Sequence, residues 1–470
     1  MIKINMNLLF LKKINQLVKN YISDQKFAEI LKGSILSLFA RIFASVFGLI
    51  SSFIIVKWYG ANTMGVVSII ISLLTLTSIL TVFGTDTSSL RLIPEHSIQY
   101  SSLSAYKIYH KIQFIIIFFS IFIGTLLYLN ANHISSRIFN KPYISTYISI
   151  ATFFLFFKTQ TVLNTSALRG LKLINYFAIM QILPQTLNLI MIVLCLILTK
   201  SADGPIYSYL ISILIAGTFG WIVVEKTFRK RSNTSDNIKN LSYKDVVSIS
   251  FPMLLTATMA FFVNQTGILM LGILSSDTEV GQYTIALKLS TLSTFMLTAV
   301  NSMAAPKFSE LYYSGQIDEL FRIAQKSTKL IFWTTIPILV LFAAVGKPIF
   351  NYFFGGSFDS SYRALVILLI GQFISSISGS TGYFMNMTGH QKLFQKIMFI
   401  SASLNIILCY FLIPVYNING AAFSGMLSTI FWNIAILFYI QRKFKNSISY
   451  IPGFDLLLKI NYKRDKCKIK

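Results

Sequence analysis

The sequence predicts an all-α polytopic membrane protein, with about twelve transmembrane helices in two six-helix lobes related by a pseudo-two-fold axis along the membrane normal. Three observations carry this. The 470 residues are 54% hydrophobic and only 12% charged, with a mean hydropathy of +0.66, whereas soluble domains hold about 25% charged residues. The apolar residues gather in stretches close to the ~20 residues a helix needs to cross a bilayer. A segment of the first half also reappears in the second half at a fixed offset.

In chain order the stretches are 34–56, 64–85, 112–130, 143–166, 175–199, 205–225, 246–273, 280–303, 330–346, 364–386, 397–414 and 419–440, numbered here spans 1 to 12. Span 1 carries Ser34, Ser37, Arg41, Ser45, Gly48 and Ser52 at intervals of three or four, which is one helix face. Span 2 places Ser68, Ser72 and Thr75 on one face, and span 4 places Lys158, Thr161 and Thr165. Span 5 holds Gln181, Gln185 and Asn188 around Pro184, and span 7 holds Thr256, Asn264 and Gln265 beyond Pro252. Span 8 has Thr284, Lys288 and Thr291, and span 10 has Gln372, Ser376 and Gly379.

The lobes follow from the repeat. Residues 61–79 align with 277–295 at an offset of 216, matching Gly65 with Gly281, Ile69 with Ile285, Leu73 with Leu289, Thr75 with Thr291 and Leu76 with Leu292. A second echo sets Leu168, Arg169 and Gly170 against Met387, Thr388 and Gly389 at an offset of 219. Each half then has an even number of spans, so both run in the same orientation and meet around an axis along the membrane normal. The expected organisation is a basic amphipathic N-terminus at 1–33, an N-lobe at 34–225, a linker at 226–245, a C-lobe at 246–440 and a basic tail at 441–470.

A net charge of +25 in a soluble chain would suggest nucleic acid, but here it sorts by side. With the N-terminus cytoplasmic, 32 of the 41 Lys and Arg fall in inner segments and six in outer ones, which satisfies the positive-inside rule with both termini inside. The remaining three, Arg41, Lys158 and Lys288, lie within apolar spans. A charge at mid-bilayer costs at least ~2.5 kcal/mol, so such groups normally face a protein interior or a water-filled cavity. Snorkelling toward the interface is the competing reading for Arg41 and Lys158. Small and hydroxyl residues also serve helix packing, so a polar stripe points to a cavity chiefly where it contains a cation. The expected lining is therefore Arg41, Lys158 and Lys288 as anion ligands. Ser37, Ser45, Ser72, Gln181, Gln185, Asn264, Gln265, Thr284, Thr291 and Gln372 form a weaker polar set.

Asp86, Glu95 and Glu310 fall at or beyond span ends and are expected in interfacial ion pairs. Cys195, Cys409 and Cys467 show no paired or metal-type spacing, and the four histidines show no ligand spacing. No phosphate-cradling glycine loop and no nucleophile–base pair is evident, so no catalytic residue, metal, cofactor or nucleic-acid partner is expected.

The chain resembles the Wzx-type oligosaccharide flippases of the polysaccharide transporter family, within the superfamily that includes the MATE multidrug exporters and the lipid II flippase. The resemblance rests on an opening helix with its arginine followed by Trp58, Tyr59 and Gly60, on Met64 and Gly65, and on the turn Leu168 to Lys172. Phe251 and Pro252 at the start of span 7 and the turn Thr388 to Lys392 complete it. It implies alternating access and a cationic cavity for an undecaprenyl-pyrophosphate-linked oligosaccharide destined for O-antigen or capsule. It also implies a bacterial cytoplasmic membrane location, membrane lipid as surroundings, and polysaccharide polymerase or chain-length machinery as a further candidate partner. Some relatives carry an acid in span 7, where this chain has Asn264 and Gln265. The competing readings are a MATE-like multidrug or cation antiporter and a membrane-embedded glycosyltransferase or polymerase.

Overall fold

The computed structural model describes residues 25–198, 201–231, 241–354 and 359–450. Among these residues every regular element is a helix. The main ones are α1 (Gln25–Ile54), α2 (Gly60–Val82), α3 (Thr85–Gln99), α4 (Ser102–His133), α5 (Ser145–Gly170), α6 (Ile174–Leu198) and α7 (Gly204–Arg231). The second half contains α8 (Tyr243–Leu274), α9 (Asp277–Leu292), α10 (Phe295–Tyr313), α11 (Ile317–Phe354), α12 (Asp359–Ser378), α13 (Thr381–Met387) and α14 (Gln391–Phe444). Most of the expected basic N-terminus and tail lies outside the described residues.

Among the described residues, eight stretches of helix are long and apolar enough to cross a membrane, or nine if α9 and the start of α10, bent by 44°, count as one. Two of the eight, Phe39–Val82 with 44 residues and Gln391–Phe444 with 54, are far longer than one crossing of about 20 residues. The first turns back at a π-turn, Ile55–Tyr59, where Gly60 has φ of 89°. The second is broken at Asn417, whose φ of 49° and ψ of −125° are not helical. With α5, which carries Lys158 and so is less apolar, this arrangement is consistent with the expected twelve crossings.

Successive crossings alternate in direction, so α1 begins and α14 ends on one face, called here the terminal face; the α1–α2 turn marks the far face. The apolar core is shared at the far end. There one buried cluster joins Val56, Met64 and Ile69 of the first half to Leu271, Ile285, Leu365 and Ile413 of the second. Toward the terminal face it divides. One branch gathers Ile93, Ile112, Leu168 and Phe228, and the other Phe308, Phe321, Phe384 and Ile440.

Glycines set how closely the halves meet. In lipid there is little hydrophobic drive between helices, so close backbone approach matters most. A Cβ on Gly65 would stand 1.8 Å from the carbonyl oxygen of Asp277, and one on Gly281 would stand 2.2 Å from that of Ala61. These four positions are related by the same offset of 216 that aligns the halves, so the α2–α9 crossing obeys the expected symmetry. Nearer the terminal face the chain breaks at Phe83 and Gly84, both left-handed with φ of 55° and 73°. Gly84 there abuts the Ser250 carbonyl of α8, and the Ser88 and Ser250 hydroxyls are 2.7 Å apart. The seam between α3 and α8 is thus closed.

Candidate functional site: a cationic inter-half cavity

On the other seam a cavity of about 520 Å³ separates α1, α5 and α6 from the end of α9. Its walls include Arg41, Ser45 and Gly48 of α1, Thr165 and Arg169 of α5, Phe177, Gln181 and Gln185 of α6, and Lys288, Thr291 and Leu292 of α9. The α1 stripe faces it because Arg41, Ser45 and Gly48 follow the helical repeat. Gly48 admits the α6 wall, since a Cβ there would lie 3.3 Å from Gln185 Oε1.

Lys288 reaches across from the second half and donates from Nζ to Ser52 Oγ at 2.5 Å, while Ser52 donates to the Gly48 carbonyl at 2.8 Å. Arg169 sits in the last turn of α5, its guanidinium 5.7 Å from the Phe177 ring centroid. No ion pair holds Arg41, Arg169 or Lys288 among the described residues, and no carboxylate is in the described lining. Three cations with no counter-charge create a strongly positive potential, and low-dielectric walls extend its reach.

The hydroxyls contribute less than their stripes suggest. Thr165 donates to the Thr161 carbonyl at 2.6 Å, and Thr291 to the Lys288 carbonyl at 2.8 Å. Such back-bonding uses the hydroxyl proton within the helix. Donors to an incoming anion are therefore the three cations, the amides of Gln181 and Gln185, and the Ser45 hydroxyl.

The cavity brings together Arg41, Ser45, Gln181, Gln185, Lys288 and Thr291 of the residues picked from sequence. Lys158 is placed elsewhere: half-buried, its ammonium lies 5.7 Å from the Tyr209 ring of α7, inside the first half. The expected lumen with three buried span cations thus contains two of them. Ser72 donates to Gln265 Oε1 at 3.4 Å, joining α2 to α8. Thr284 is buried and bonded to the Val280 carbonyl, and the exposed Asn264 donates to the Ala260 carbonyl. Gln372 lines a separate, very small cavity with Ser293, Thr335 and Ser375. The Ser37 side chain lies outside the described residues. Of the expected interfacial pairs, Arg91 and Glu95 are 3.4 Å apart.

Arg169 and Phe177 are not among the cavity residues that the sequence predicts. Arg169 is one of the inner-segment charges, yet it continues the face of Lys158, Thr161 and Thr165 by one more turn, four residues on. That spacing was the available signal.

The sequence profile of the family described as "Polysaccharide biosynthesis protein" matches residues 60–363. The chain belongs to that family. A Haloferax volcanii protein named "Probable low-salt glycan biosynthesis flippase Agl15" is 23% identical over 228 residues, covering 48% of this chain and 47% of that one. Among solved structures, this polysaccharide biosynthesis family member is similar to the lipid II flippase MurJ in an inward closed conformation, with a TM-score of 0.68. That likeness has 17% identity and covers 87% of each chain. A multidrug resistance MATE family transporter of the MOP superfamily in an inward-facing conformation gives 0.66 with 13% identity, covering 87% of this chain and 98% of that one. The fold is therefore that of the superfamily to which the sequence motifs pointed.

Proposed function

We propose that this protein is a flippase that moves undecaprenyl-pyrophosphate-linked oligosaccharide from the cytoplasmic to the outer leaflet of a bacterial cytoplasmic membrane by alternating access. The observation that carries the reading is the cavity between the divided cores, lined by Arg41, Arg169 and Lys288 with no carboxylate among the described lining residues. Membership in the polysaccharide biosynthesis family supports the glycan part of it.

A lipid-linked diphosphate presents negative oxygens to the guanidinium and ammonium groups, which bind phosphate as fork and point charge respectively. The sugar hydroxyls meet Gln181 and Gln185, and the polyprenyl tail stays in lipid. With both termini cytoplasmic, the terminal face is the inner one, and the divided core makes this an inward-open arrangement. The diphosphate then meets Arg169 and Arg41 first and Lys288 deeper, while Lys158, held on Tyr209, stands off this route. A cationic drug would be repelled by the same three charges, which places the antiporter reading behind.

Deleting the gene is expected to make lipid-linked glycan accumulate on the cytoplasmic face, identified by mass spectrometry, and to deplete surface polysaccharide. Wild-type protein should restore export, whereas Arg41→Gln, Arg169→Gln and Lys288→Met should restore it poorly. No accumulation, or full export in all three variants, would sink the proposal.

A further inference from the structure

The far end is closed by more than apolar packing. Asp277, the first residue of α9, is buried with 2% side-chain exposure, and its Oδ1 lies 2.6 Å from Nζ of Lys141, itself 11% exposed. Its other oxygen accepts the hydroxyl of Tyr143. Both partners come from the turn between α4 and α5, so the carboxylate of one half is held by a cation and a phenol of the other. The backbone crossing beneath obeys the repeat, with Gly65 against Asp277 and Gly281 against Ala61. The charge does not, because the position equivalent to Asp277 is Ala61.

A permanent seam has no need of this pair. A buried ion pair is commonly no more stabilising than an apolar pair of similar volume, yet removing one partner strands an unsolvated charge. When the faces separate, both ions become hydrated and that penalty disappears. Such a contact therefore tolerates parting and re-forming, unlike an extended apolar seam whose surfaces would each face water.

We propose that Asp277, with Lys141 and Tyr143, forms the latch that holds the far side shut in this state and parts when the cavity opens to that side. The idea rests on the alternating-access reading, but its test needs no substrate. In the full chain, with Cys195, Cys409 and Cys467 replaced by Ala, a Ser45→Cys reporter is labelled in right-side-out vesicles by a membrane-impermeant maleimide.

Asp277→Asn or Lys141→Met leaves one partner alone in the closed state only, so the open population should rise and labelling should quicken about tenfold. The double variant Lys141→Met/Asp277→Asn strands no charge and should label near the rate of the reporter alone. Either single variant suffices if the other does not fold. Unchanged labelling in the single variants, or a double variant as reactive as they are, overturns the latch. Normal labelling behaviour in the reporter chain, together with no glycan export by the chain that keeps Ser45, would defeat the flippase reading and leave the latch standing; the reverse outcome would do the opposite.

Discussion

Lys288 and Arg169 approach the cavity from different halves and hold their charges by different means. Lys288 rests on a neutral hydroxyl at 2.5 Å, and Arg169 stacks near an aromatic ring, so neither charge is neutralised. Each remains available to phosphate, and a hydrogen bond to a charged group contributes about 1.5–3 kcal/mol. Lys288→Met and Arg169→Gln are therefore expected to weaken undecaprenyl pyrophosphate binding by roughly tenfold to a hundredfold each. Binding measured on the purified protein checks this, with Lys158→Met as the contrast. Lys158→Met should change affinity less than about twofold and cost only the ~0.5–1 kcal/mol of its contact with Tyr209. The sequence marked Arg41 and Lys288 because a cation in an apolar run is costly wherever it lies. The spacing from Thr165 puts Arg169 on the same helix face, but only the packing of α6, which brings Phe177 beside it, sets this helix-end charge in the cavity.

At the scale of elements, the α2–α9 crossing is decided by two glycines. Alanine at Gly65 or Gly281 would push a methyl into a backbone carbonyl, which cannot swing aside as a side chain can. Overpacking of this kind costs typically ~1–3 kcal/mol, so both variants should melt at lower temperature than wild type. Gly124→Ala supplies the control, because a Cβ there would meet its nearest neighbour at an ordinary 3.8 Å. Equal melting of all three variants would refute the crossing. The repeat exposed this pair, since Gly65 and Gly281 were among its few identities. The breaks that shape the same elements were not visible. Phe83 adopts a left-handed conformation without being glycine, and the 44° bend between α9 and α10 falls at Ser293 and Thr294, which also occur in straight helices.

For the whole molecule, the core that is single at the far end and double at the terminal face makes a wedge with its cations in the cleft. In the proposed orientation, outward movement of a diphosphate runs down the inside-negative potential, by ~2.3 kcal/mol per charge per 100 mV. Dissipating the potential in proteoliposomes should then slow flipping of a lipid-linked diphosphate severalfold, and inverting it should slow flipping further. A rate indifferent to potential would show that the charges cross compensated. The amino-acid sequence by itself determined that the chain is embedded, where its apolar spans lie, that its halves repeat, and that cations are placed in apolar surroundings. Hydropathy, charge bias and periodicity are properties of short segments, legible without knowing any neighbour. Tertiary structure alone decided which cations meet. Arg169 joins Arg41 and Lys288, Lys158 turns to Tyr209, and Asp277 finds Lys141 across 136 residues of chain. Those outcomes depend on helix breaks and crossing distances, and a stripe on one helix acquires meaning only from the helix packed against it.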